Sequence, residues 1–174
     1  MGRGRVITTE SHITQEARAY IGRKSEIHKV EVSAKDIRRF AVTIGDKNPL
    51  WRDEAAAAKG PNGGIVAPPF FFTTLALEEE ELDDLEASGL GKKMGLRMEV
   101  PVPGFPGAVA GGRKIIFGVP IRAGDVISVQ EEVVEIYEKQ GRRGPMVFVA
   151  SEWTYTNQRG ERAVTETATV IRIK

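Results

Sequence analysis

The chain is expected to be an α+β protein in which an antiparallel sheet wraps around one long, buried central helix. Three features of the sequence carry that expectation. Helical periodicity fills the first half, one segment near residue 70 is apolar almost all round, and four strand-like segments fill the second half. All of this fits a single domain over residues 15–174, preceded by a mobile arm over residues 1–14.

In order along the chain, residues 15–21 suit a short helix ended by Gly22. Residues 27–32 alternate apolar and polar side chains, the period of a half-buried strand. Ser33 followed by Asp36 is a capping box that opens a helix. In that helix Ile37, Phe40, Ala41 and Ile44 recur at the spacing of a buried stripe, and Gly45 is suited to end it. A second short helix runs from Asp53 to Ala58, closed by Lys59 and Gly60.

Residues 69 to about 79 contain Phe70, Phe71 and Phe72 and read as the buried helix, the phenylalanines as core or interface. An acidic run, Glu78 to Glu81 with Asp83 and Asp84, then marks the return to solvent. The glycine- and proline-rich stretch 89–112 reads as a long loop, of the kind that walls a site. Strands follow at 113–119, 125–138, 146–156 and 162–173, with turns at Gly141 to Pro145 and Asn157 to Gly160.

Bulk composition narrows the function. Of 174 residues, 41% are hydrophobic and 28% charged, and 25 basic against 24 acidic residues leave a net charge of +1. A nucleic-acid-binding protein needs a clustered basic excess, so that class is not supported. With no cysteine, disulfide frameworks, thiolate metal sites and cysteine nucleophiles are excluded, and a reducing cytoplasm is the natural setting. The first residues lack the apolar stretch of a secretory signal, and no apolar run reaches the length of a membrane span.

The most informative stretch is Gly45-Asp46-Lys47-Asn48-Pro49-Leu50-Trp51, a tight loop between two helices. A carboxylate and a carboxamide two residues apart on such a loop can face one pocket. Turn chemistry alone also favours both residue types. The heptapeptide resembles the Gly-Asp-x-Asn-Pro-[Leu/Ile/Val]-His signature of the MaoC-like R-specific enoyl-CoA hydratases at every position but the last. Gly64-Ile65-Val66-Ala67-Pro68-Pro69 and the Pro120 to Asp125 segment are similar to stretches of the same group's N-terminal dehydratase domain.

The resemblance implies a single hot-dog fold and hydration of an enoyl thioester, or the reverse dehydration. It implies no cofactor beyond the coenzyme A or acyl carrier protein that carries the acyl group, and no metal. Asp46 then matches the catalytic aspartate and Asn48 the asparagine beside it. Trp51, Gly64, Ile65, Val66, Ala67 and Pro68 would line the substrate. Where the family has its histidine this chain has Trp51, and indole is a donor without useful basicity. Pro69, at the position of the family's amide donor to the thioester oxygen, has no N–H. His12 in the arm and His28 in the first strand are not placed to substitute. Arg113 and Lys114 suit a solvated strand edge or a phosphate contact.

Three readings follow. The chain is one half of a heterodimer or heterotetramer whose second hot-dog subunit brings the complete dyad. Or it is a self-sufficient homodimer relying on Asp46, or a non-enzymatic module that binds acyl thioesters. None of them calls for a nucleic acid or a membrane.

Overall fold

The structure, a computed structural model, describes residues 11–77 and 96–174. Helix α1 (Gln15–Arg18) leads to strand β1 (His28–Glu31), helix α2 (Ala34–Thr43), a 3-10 turn (Pro49–Trp51) and helix α3 (Glu54–Lys59). A central 3-10 helix (Pro69–Ala76) comes next, and then the long strands β2 (Gly107–Phe117), β3 (Val126–Gly141), β4 (Gly144–Thr156) and β5 (Arg162–Ile173). The five strands form one sheet in the order β1-β3-β4-β5-β2, and every neighbouring pair is antiparallel.

Local chemistry sets the boundaries. Ser33 accepts the Asp36 amide at the start of α2. At its other end the Gly45 amide reaches the Val42 carbonyl and the Asp46 amide reaches the Ala41 carbonyl. This pair of bonds is a Schellman motif, and it needs Gly45 at its left-handed φ of 70°. Asp53 caps α3 through the Ala56 amide. Arg142 and Arg143 make the β3–β4 turn, with Gly144 at a φ of 130°.

Three expectations change. The central helix is a 3-10 helix of 8 residues, and its continuation toward residue 79, with the acidic run, lies outside the described residues. Phenylalanine and threonine are poor α-helix formers, and two hydroxyls compete with the backbone ladder. Thr73 donates to the Phe70 carbonyl and Thr74 to the Phe71 carbonyl.

Secondly, Gly107 to Gly112 belong to β2 rather than to a loop. A side chain on Gly111 would meet the Thr169 carbonyl at 2.9 Å, and one on Gly107 would meet Ile173 Cγ1 at 2.6 Å. The glycines therefore allow close strand approach, with a bulge between Ala110 and Arg113.

Thirdly, residues 11–14, assigned to a mobile arm, are packed on the sheet. Ile13 is buried. The Glu138 carboxylate on β3 accepts from the Ser11 hydroxyl at 2.7 Å and the Ile13 amide at 3.0 Å, and pairs with His12 at 3.1 Å. Desolvation would raise the Glu138 carboxyl, but the bonds from Ser11, His12 and Ile13 outweigh it and hold the group below the usual carboxylate range.

One sheet face carries the core. Its larger cluster joins Ile37, Phe71, Phe72, Val129, Trp153 and Tyr155, with Trp51, Phe40 and Ala67 packed against it. A second cluster, toward the β3–β4 turn, joins Ile13, Phe105, Val133 and Val147. Each fully buried apolar side chain contributes about 1.5–3 kcal/mol. Among the described residues no helix is long and apolar enough to cross a membrane.

Candidate functional site

The motif loop begins where α2 ends. Because the Schellman motif fixes Asp46 just past the helix C-terminus, its carboxylate sits at the negative end of the helix dipole. Local donors answer that cost. The Asn48 amide donates to Asp46 Oδ1 at 2.9 Å, and the Trp51 indole Nε1–H donates to Oδ2 at 2.9 Å. Asn48 in turn caps the 3-10 turn, its Oδ1 accepting from the Leu50 amide at 3.0 Å. Leu50 packs on α3 so closely that a side chain at Gly60 would come within 2.6 Å of it.

Asp46, Asn48 and Trp51 are thus brought together, as three parts of one hydrogen-bonded loop. Both Asp46 oxygens already hold a donor. Trp51 is half-buried and joins the main core cluster. At the position the motif gives to a base stands a donor pointed at the aspartate. The bond itself was not foreseen, although its signal was in the sequence: a donor-only ring five residues after an acceptor-only side chain.

The second predicted group lies in the same core. Val66 bridges Arg122, the Ala67 amide reaches the Ile121 carbonyl, and the Arg122 guanidinium holds the Asn62 carbonyl. Ile65, Val66 and Pro68 are buried, whereas Gly64 and Ala67 keep part of their surface. Pro69 opens the central helix with no side-chain cap, so the Phe70 amide is the first with a hydrogen to give. Phe71 and Phe72 are buried as expected, but Phe70 is 54% exposed. Asp125 is a structural anchor, accepting from the Arg122 amide, Gln158 and Arg159. His28 lies half-buried on β1.

A cavity of about 320 Å³ opens at the other end of the central helix. Thr73 and Ala76 of that helix, Leu77 just past its end, Arg97, and residues of β2, β4 and β5 line it. Trp153 and Glu166 are register partners on β4 and β5. Arg113 on β2 donates its Nε–H to the Glu166 carboxylate, whose side chain is 5% exposed. Arg113 thus stands exposed on an edge strand, as expected, with its Nε–H spent on Glu166, and that bond pushes its own pKa up. Burial, with the Glu166 charge next, pushes the Tyr155 phenol up, so it stays a neutral donor.

Close to this cavity, Glu131 is the register partner of Trp153. Its Oε2 accepts the Met98 amide, while its buried Oε1 has no partner. Burial raises the Glu131 carboxyl, opposed by Ser151, the Met98 amide and Arg97. Sequence reasoning missed this polar group because its members lie on strands far apart in the chain. No set of metal-ligating side chains is assembled among the described residues.

Comparison with known proteins agrees with this fold. The family profile described as FAS1-like, dehydratase domain region, matches residues 19–166. A 3-hydroxybutyryl-CoA dehydratase of Methylorubrum extorquens is 31% identical over 118 residues, 68% of this chain and 63% of that protein. A probable enoyl-CoA hydratase alpha subunit of Thermomonospora curvata is 31% identical over 147 residues, 82% of this chain but 45% of that protein. The matched region thus spans less than two-thirds of either relative's length. Among solved structures, the ChsH1-ChsH2 complex of Mycobacterium tuberculosis aligns with a TM-score of 0.71 at 22% identity, over 92% of this chain and 90% of that one. That likeness concerns the fold alone.

Proposed function

The chain belongs to the FAS1-like dehydratase domain family of MaoC-like hot-dog proteins, and from that premise we propose that it is the non-basic half of an acyl-thioester hydratase or dehydratase. Hydration of an enoyl thioester needs a base for the water, a group that positions it, and donors for the oxyanion that develops on the thioester. The single observation that carries the proposal is the 2.9 Å bond from Trp51 Nε1 to Asp46. It replaces a base by a donor and uses the aspartate oxygen that such a base would share. In this reading Asp46 and Asn48 keep the loop's shape, and Trp51 with Gly64 and Ala67 shapes the wall of the acyl tunnel.

The missing base would come from a second hot-dog subunit. The exposed edge of the sheet supports this. Among the described residues strand β2 has no partner beyond it, and it presents Val109, Ile116 and Phe117, while Phe70 stacks on Phe72. A long apolar edge calls for another strand. That one relative carries the name alpha subunit favours a different chain over a second copy. The acyl group would arrive on coenzyme A or acyl carrier protein, with no other cofactor.

The test is turnover of crotonyl-CoA by the purified chain, alone and mixed with a hot-dog protein that has the complete Asp-x-Asn-Pro-x-His motif. The expected outcome is hydration in the mixture only. Hydration by the chain alone, abolished in Asp46→Ala, would instead identify a self-sufficient homodimer. Thioester binding without turnover in any mixture would identify a binding module.

A further inference from the structure

The cavity beyond the central helix is not a plain acyl pocket, because its walls and its charges ask for different things. Its walls are small and apolar, with Ala76, Leu77, Ala108, Ala110, Ala168 and Val170. Set into them are two guanidinium groups, Arg97 and Arg113, and only one carboxylate, Glu166. Arg113 and Glu166 pair with each other. Arg97 is half-buried and has no ion-pair partner among the described residues. Glu131 is near enough for the Arg97 charge to favour its ionised form, but its Oε2 is taken by the Met98 amide and no salt bridge closes between the two. The neutral Tyr155 beside them adds a donor rather than a charge.

Filling such a cavity with hydrocarbon would strip water from Arg97 and give nothing back. A carboxylate is the ligand group that matches a planar guanidinium. We propose that this cavity binds a carboxylate carried on a short apolar body, with Arg97 as the residue that recognises it. The inference rests on the acyl-thioester reading above and gives it a substrate class: acyl thioesters bearing a distal carboxylate. A free short-chain carboxylate offers the same chemistry, and the experiment separates the two.

Titration calorimetry on the full chain, with butyryl-CoA, glutaryl-CoA and free butyrate, tests this. Glutaryl-CoA should bind about tenfold more tightly than butyryl-CoA, the worth of one charge-assisted pair. Arg97→Met should abolish that ratio, Arg97→Lys should keep most of it, and Glu131→Gln should increase it by removing a nearby acid. If Arg97 served only to offset Glu131, Arg97→Met would shift the thermal midpoint and leave the ratio unchanged, which overturns the inference. Equal affinity for the two thioesters overturns it as well, while leaving the acyl-thioester reading standing. Binding of neither thioester overturns both. Free butyrate bound in an Arg97-dependent way, with the two thioesters equal, assigns the cavity to free acids and overturns the substrate class.

Discussion

The motif loop and the cavity treat polar atoms in opposite ways. In the loop every side-chain oxygen of Asp46 and Asn48 that matters is answered within five residues, by Asn48, Leu50 and Trp51. Around the cavity the polar groups come from the 96–105 segment and from strands β2, β3, β4 and β5, and one buried oxygen of Glu131 is not answered at all. A polar group that is locally satisfied has little left for a ligand. One that the fold leaves unsatisfied has a reason to bind something. On the proposed reading, the difference separates the family's signature, kept as scaffold, from a place where polar groups remain available to a ligand.

Phe72 joins the two regions and offers the most drastic way to break the comparison. It is fully buried, edge-on to Tyr155 at 5.1 Å and to Phe117 at 6.1 Å. Phe72→Ala should cost about 3–5 kcal/mol, measured by denaturant unfolding, and should weaken thioester binding with it. A cost below about 1 kcal/mol would mean that the central helix is not the shared support.

Asp46→Ala sharpens the contrast. It strands the Trp51 indole and the Asn48 amide together, so a loss of about 2–3 kcal/mol is expected. Thioester affinity measured at a temperature where the variant is still folded should hardly change. Affinity that collapsed without loss of stability would return Asp46 to the chemistry.

The smallest effect has the opposite sign. Glu131→Gln keeps an acceptor for Met98 and removes a charge that burial disfavours. Glu131 has its pKa raised in the folded state, so its ionisation costs stability as pH rises through the carboxylate range and beyond. The variant should therefore melt higher at pH 7, by roughly 2–4 °C for about 1 kcal/mol in a chain of this size. That advantage should fade below the ordinary glutamate range near about pH 4. Equal melting at both pH values would show that Glu131 is not strained.

Much of this fold was legible, and what escaped has a common cause. Ser33 and Asp36, Gly45 with its positive φ, and the alternation within β3 to β5 are local signals that no tertiary contact overrides. The central segment looked like an α-helix because its apolarity was correctly read, while the reach of the Thr73 and Thr74 hydroxyls to carbonyls three residues back was not. Gly107 to Gly112 resembled a loop in composition, since close packing against Thr169 and Ile173 leaves no mark on the glycines themselves. For the site, the Asp46 loop was identified but its internal bond was not. Arg113 and Glu166 stand 53 residues apart, and only sheet register joins them.

The attachment of Ser11, His12 and Ile13 to Glu138 has a practical side. The family match begins at residue 19, and a fragment cut there would lose Ile13 from beneath Phe105 and leave an acceptor-rich carboxylate bare. Because Glu138 is held below its unfolded range, the attachment stays closed at neutral pH and loosens only as acid protonates it. Extraction or storage in acidic buffer would then resemble the truncation, peeling back the leading residues before the sheet itself gives way.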